Sequence, residues 1–289
     1  MIMMQMKRVS LLILSALVIT FLVAATGNYF LLAQNFFLKK GDMLSVRLFT
    51  GLQPGDDAGQ EGPPAGAGKF VLYEGSKKID LAAQATDTVI AIQDYKIVNP
   101  GLALLQYTQT AAYNEFDKEE FEKQLNEDGN TDLAKRVAKN RKLRVKEKYT
   151  CYLKTLVKVE KNSGNVYEKV LGDPLELVLK TNPYKLNYGD DVTAVLYLKD
   201  KPLANEVLML YIKTATGNVH PQKLVTDAEG RVYFKLSREG IYILRSARTQ
   251  VSDTKDADFE TMWASFTFAF SSANELPNSY KEFGFGDKH

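Results

Sequence analysis

The chain has one cysteine and two histidines among 289 residues. That scarcity excludes a zinc ribbon, a disulfide scaffold and a multi-histidine metal enzyme, because each gathers several thiolates or imidazoles at one point. Charge of one sign is missing too: Lys and Arg number 37, Asp and Glu 35. A nucleic-acid binder shows a basic excess, so nucleic acid is not an expected partner. Apolar residues are plentiful at 45%, which excludes a disordered chain. At roughly 100–200 residues per domain, the length suits about two domains.

The first residues read as an address. Lys7 and Arg8 precede an uncharged apolar run, Leu11–Ala25, with small Val23 and Ala25 at its exit. This order predicts a signal peptide over 1–25 and export to the periplasm or cell exterior. Spanning a bilayer takes about 20 apolar residues, so the run is short for an anchor. An uncleaved anchor is the competing reading, and membrane contact is expected only through this segment if it is kept. Removing 1–25 leaves 35 basic and 35 acidic side chains, a formal net charge of zero.

Beyond residue 35 the apolar period is two. Leu44, Val46 and Leu48 alternate with Ser45 and Arg47, as a strand with one buried face requires. Residues 51–69 hold six glycines and three prolines and are expected to form a mobile surface loop. Strands are predicted at Phe70–Tyr73, Thr88–Ile92 and Leu102–Thr108. Glu115–Lys148 is rich in Lys, Glu, Asp and Arg and predicts a pair of helices. Asp117 with Glu120 forms a capping box, Phe121 and Leu125 share a face, and Gly129 stops the first helix. Mixed signs favour a solvated face here over a docking patch. From Tyr149 to Val159 the odd positions share one strand face, with Cys151 as a small core residue, while Tyr152, Lys154, Lys158 and Glu160 take the other.

Two echoes join the halves. Leu38–Leu48 matches Leu186–Leu196 around Gly41-Asp42 and Gly189-Asp190, and Gly101–Leu105 matches Gly240–Leu244. They predict two related β-domains. The second half has strand candidates at Leu175–Leu179, Val192–Leu198, Glu206–Lys213, Lys223–Thr226, Arg231–Leu236, Ile241–Arg248 and Met262–Phe270. The expected fold is therefore mostly β, with two Ig-like β-sandwich domains in tandem and a short charged helical insertion in the first. The expected divisions are 26–173 with loop 51–69 and insertion 115–148, then 174–270, then a loose tail over 271–289.

Reactive chemistry is hard to assemble from these residues. His220 precedes Pro221 in an expected hairpin loop, and His289 ends the tail. A Ser–His–Asp arrangement would need one of them, and neither sits in a nucleophile motif. Asp253, Asp256 and Asp258 crowd together without the glycine and distal Glu of an EF-hand. Gly66-Ala67-Gly68 lacks a strand–turn–helix frame for nucleotide binding. Trp263, Phe266, Phe268 and Phe270 read as strand core. No catalytic, cofactor-binding or metal-binding residue is assigned.

An ordered set of strings resembles the secreted domain-of-unknown-function family 4198. They are Leu175–Leu179 with Asn182-Pro183, Gly189-Asp190, Lys201-Pro202-Leu203, Thr226–Arg231 and Trp263–Phe268. The resemblance covers most of 28–270. It implies two Ig-like domains outside the cytoplasmic membrane, a label of cobalt or nickel uptake, and no catalytic residue. Members typically carry a His near the mature N-terminus and another in the strand before the Trp-Ala-Ser string. This chain has Asn28–Leu31 and Arg245–Thr249 there, so both soft-metal ligands are missing. The sequence thus points to an exported, non-enzymatic binding or accessory protein of the cell envelope, linked to metal or solute uptake. Its partner would be an envelope protein or a small solute. The alternative is a structural or adhesive envelope module.

Overall fold

The computed structural model describes residues 29–51, 60–61, 68–85 and 90–273. The expected signal peptide, most of loop 51–69 and His289 with nearly all of its tail lie outside the described residues. The chain is mostly β. Its first half forms β1 (Phe30–Ala33), β2 (Phe37–Leu38), β3 (Met43–Thr50), β4 (Gln60–Glu61), β5 (Gly68–Glu74), β6 (Lys77–Asp80), β7 (Ile90–Lys96) and β8 (Gly101–Asp117). Helices α1 (Lys118–Glu127) and α2 (Thr131–Ala138) follow, then β9 (Arg144–Val159). The second half forms β10 (Leu175–Leu179), β11 (Asp191–Leu198), β12 (Lys201–Pro202), β13 (Val207–Lys213), β14 (Val219–Val225), β15 (Arg231–Lys235), β16 (Gly240–Val251) and β17 (Phe259–Phe270).

One large sheet runs through both halves in the order β14-β13-β16-β17-β9-β8-β5-β6, with β2 added along β9. The half-sheets join where β17 pairs β9 in parallel, from Phe259↔Glu147 to Thr267↔Thr155. Every other pairing of the main order is antiparallel. Two small sheets complete the layers: β3 with β1, β4 and β7, and β11 with β10, β12 and β15. They pack on opposite faces of the large sheet. Tyr149, Cys151, Leu153 and Val157 of β9 belong to the core shared with β1 and β3, whereas Tyr152 and Leu156 belong to the core shared with β10 and β11.

This layout has a simple cause. The two halves repeat one strand plan, and their last strands, β9 and β17, lie side by side and parallel. Parallel pairing of the two equivalent end strands presents opposite faces of the sheet to the two halves, which sends the small sheets to opposite sides. The echoed turns match in hydrogen bonding as well as in residues. Lys39 N–H donates to Asp42 Oδ2 at 2.8 Å, and Asn187 N–H to Asp190 Oδ2 at 2.7 Å. Gly41 N–H reaches Ile97 O, and Gly189 N–H reaches Leu236 O. Both glycines sit at positive φ, +97° and +90°, where a side chain would be strained.

The alternation along β9 is as expected, but its second face is not solvated. Lys154 is only 2% exposed, because a strand in the middle of a shared sheet is covered on both sides. Its Nζ meets Glu176 Oε1 at 2.5 Å and Leu177 O at 3.0 Å. Glu176 in turn accepts from the backbone N–H groups of Leu171, Gly172 and Asp173. Filling the remaining bonding capacity in this way offsets the desolvation cost of a buried charge pair.

Three other expectations need correction. His220 is not in a loop but in β14, paired with Ile212. Pro221 is tolerated there because β14 is the outermost strand of the sheet, where a missing N–H breaks no ladder. Part of 51–69 is ordered against the sheets: β4 pairs Phe49 and Thr50, and β5 begins at Gly68. The helical insertion is shorter than 115–148, since β8 continues to Asp117 and β9 starts at Arg144. Asp117 is the N-cap of α1, but its side chain makes no capping bond. It faces Arg144 across the ladder at 3.8 Å, and the guanidinium competes with the helix for it.

Candidate functional site

The helical hairpin is the feature that breaks the repeat. It occupies the β8–β9 connection, where the second half has only the short turn 252–258 between β16 and β17. An element grafted on one copy of a repeated scaffold is the natural place for function. Its apolar stripe is Phe121 and Leu125 of α1 with Leu133, Ala134 and Val137 of α2. These bury against Phe116, Val145 and Phe259 at the end of the large sheet. The first helix stops at Gly129, at φ +83°, as the sequence predicts.

Beneath the hairpin lies a sealed polar layer. Asp128 Oδ1 meets Arg245 Nη2 at 2.8 Å, both side chains 4% exposed. Arg245 lies over the Trp263 ring at 5.4 Å. Asn130 donates to Thr249 O at 3.0 Å, tying the same turn to β16. Next along the layer, Thr261 Oγ1 donates to Glu147 Oε1 and lies 3.0 Å from Thr249 Oγ1. Tyr29 stacks on Tyr149 at 5.2 Å and meets Trp263 edge-on at 6.3 Å. Burial pushes the Glu147 carboxyl up to about 7, with the Thr261 bond opposing and Asp128 assisting. Burial also raises Asp128, and Arg245 offsets this in part. Among the described residues, Glu147 Oε2, Asp128 Oδ2, Arg245 Nε and Trp263 Nε1 have no hydrogen-bond partner. Sequence reasoning did not single out this layer. Its one legible signal is a Glu on the mostly apolar face of a strand, in line with Val145, Tyr149, Cys151 and Leu153.

Cys151 is fully buried on β9, and burial raises its thiol well above the usual range. Replacing it by Ser is expected to cost about 1–2 kcal/mol, the penalty of a hydroxyl with no assured partner. Thermal melts of Cys151→Ser check this, and a thiol reagent that labels the folded protein rapidly would contradict the burial. Asp258 is engaged by Lys142 and by Lys146 N–H, and Asp256 by Tyr113 and Thr254. Their oxygens are thus committed separately. No group of three or more His, Cys, Asp or Glu suited to a metal occurs among the described residues. Trp263 is 1% exposed, a core residue as expected.

The two stretches where the resemblance places histidines do meet. Tyr29 and Arg245 both lie against Trp263, so the positions converge while the ligands are absent. Cys151 and His220 lie four strands apart, about 19 Å at the usual spacing. Nickel, cobalt or copper should therefore bind no tighter than about micromolar, roughly −8 kcal/mol. Calorimetry on tag-free protein checks this. A tighter one-to-one isotherm that survives His220→Ala would show other ligands.

No helix of the described residues is long and apolar enough to cross a membrane. No curated protein matches the sequence. Among solved structures, a tetra-tandem repeat from the extending region of a large adhesion protein is similar at 9% identity and TM-score 0.21. The match covers 84% of this chain and 50% of that one, so the chain spans about half its length. The D0–D1 domain of intimin matches at 12% identity and TM-score 0.20, over 83% of this chain and 97% of the other. The three N-terminal domains of the outer capsid protein Hoc of bacteriophage RB49 match at 7% identity and TM-score 0.18, over 84% and 71%. The family model described as domain of unknown function (DUF4198) matches residues 27–250, from the start of β1 through the hairpin to the end of β16, and the chain belongs to that family.

Proposed function

We propose that this is an exported, non-enzymatic binding or accessory protein of the cell envelope. Two Ig-like units share one sheet and present the α1–α2 hairpin to an envelope protein or to a solute-uptake system. The observation that carries this reading is the hairpin itself. It is added to one of two repeated halves and is clamped to a rigid sheet by the buried Asp128–Arg245 pair. Glu147, Cys151 and Lys154, whose charged forms burial disfavours, lie within the layers and serve the architecture. Photo-crosslinking in cells tests the proposal. A crosslinker at exposed Lys139 should give envelope adducts, and one at exposed Lys78 on β6 should not. A cytoplasmic location, or equal adducts from both sites, would reject it.

A further inference from the structure

The insertion carries both signs, but acids predominate in its first part and bases in its second. Acids gather on α1, with Glu119, Glu120, Glu122 and Glu127. From Leu133 to Lys148 there are eight basic residues and one acid, and that acid, Glu147, is buried. Four of the eight bases have ion-pair partners: Lys135 with Asp132, Lys142 with Asp258, Arg144 with Glu115 and Asp117, and Lys148 with Glu260. Lys146 lies over the Tyr113 ring at 4.9 Å. Arg136, Lys139 and Arg141 are exposed and form no ion pair among the described residues. Beside them Leu143 is 81% exposed, the most open large apolar side chain of the described residues.

Chain connectivity adds an independent observation. Tyr29, where the described fold begins, stacks on Tyr149, five residues along β9 from Arg144. The chain preceding Tyr29 therefore enters the fold at the level of Tyr149, about 16 Å along β9 from Arg144.

We propose that this edge docks on the anionic face of a lipid bilayer. Arg136, Lys139, Arg141 and Lys146 would face the headgroups, and Leu143 would reach the interface. A cationic surface with one exposed apolar side chain, on the side where the chain enters the fold, fits a bilayer surface. A nucleic acid would have no use for the exposed leucine. The proposal rests on the hairpin being the interacting element. It is tested on purified protein, so its failure would leave crosslinking in the envelope as a separate result.

The test uses full-length protein and vesicles of phosphatidylcholine with or without phosphatidylglycerol. The ratio of the two affinities is read, because the N-terminal apolar run contributes equally to both. Each basic residue near an anionic surface strengthens binding about fivefold. The triple variant Arg136→Gln, Lys139→Gln, Arg141→Gln should therefore lose roughly a hundredfold of the preference for phosphatidylglycerol. Added salt should weaken the preference as the Debye length shrinks to about 3 Å near 1 M. Neutralising Lys77, Lys78 and Lys180 on other elements should change nothing. All these positions are exposed, so unchanged melting confirms that the variants fold. Equal affinity for the two vesicle types would overturn the proposal. So would a triple variant that keeps the preference, or a DNA duplex bound as tightly as the anionic vesicles at the same salt.

Discussion

Asp128→Ala is expected to lower stability by about 3–5 kcal/mol, the usual cost of leaving one buried charge unpaired. The carboxylate lies 2.8 Å from Arg245 and is the ionic link between the hairpin turn and β16. Without it the guanidinium keeps its Trp263 contact but loses its counter-charge. The double variant Asp128→Leu, Arg245→Met should regain most of the loss, because apolar isosteres of a buried pair are often neutral or stabilising. Denaturant titration of both variants gives the comparison. Hydrogen exchange over 118–138 shows where the loss falls, and protection there should drop before that of β9 and β17. Wild-type-like stability of Asp128→Ala would mean that the pair does not clamp the hairpin.

Glu147→Gln should stabilise the protein at pH 8 by about 3 kcal/mol and remove a pH dependence. The Glu147 carboxyl is raised from 4.5 to about 7, with burial the largest cause. The folded state therefore holds its proton more tightly than the unfolded chain. The stability this contributes is complete below about pH 4.5, falls as pH rises towards 7, and is gone above it. The groups facing Glu147 are Thr261 of β17, Tyr149 of β9, Asn114 of β8 and Asp128 of the hairpin turn. Only Thr261 donates to Oε1 in a defined bond, and Oε2 has no partner among the described residues. Gln keeps the acceptor and removes the charge. Melting temperatures from pH 5 to 8 should converge for the two proteins at the acid end and differ by about 10 °C at the alkaline end. Parallel curves would show that Glu147 is not the titrating group.

Much of this architecture is legible along the chain. Period-two alternation locates the strands of the second half to within a few residues, because each half-buried strand must send alternate side chains to one face. The Gly-Asp echoes identify the repeat because the same tight turn needs the same positive-φ residue and the same carboxylate acceptor. The helices of the insertion are visible from Phe121, Leu125, Leu133 and Val137, and the stop at Gly129 from its backbone freedom. His220 was misplaced because Pro221 reads as a turn signal, and a sequence does not say which strand will be outermost.

The sequence by itself determined the β-rich class, the repeated halves, the charged helical insertion, the buried thiol and the shortage of soft-metal ligands. These follow from side-chain periodicity and from counts, which are local properties. The tertiary structure alone decided that β9 and β17 pair in parallel and that Lys154 and Glu147 are buried. Burial on both faces of a strand depends on its place in the sheet order, and sheet order is set by contacts between residues more than a hundred positions apart, such as Trp263 with Cys151. Acids predominate on α1 and bases from α2 into β9, two consecutive blocks of the chain, and what the fold adds is the exposure of Arg136, Lys139, Arg141 and Leu143.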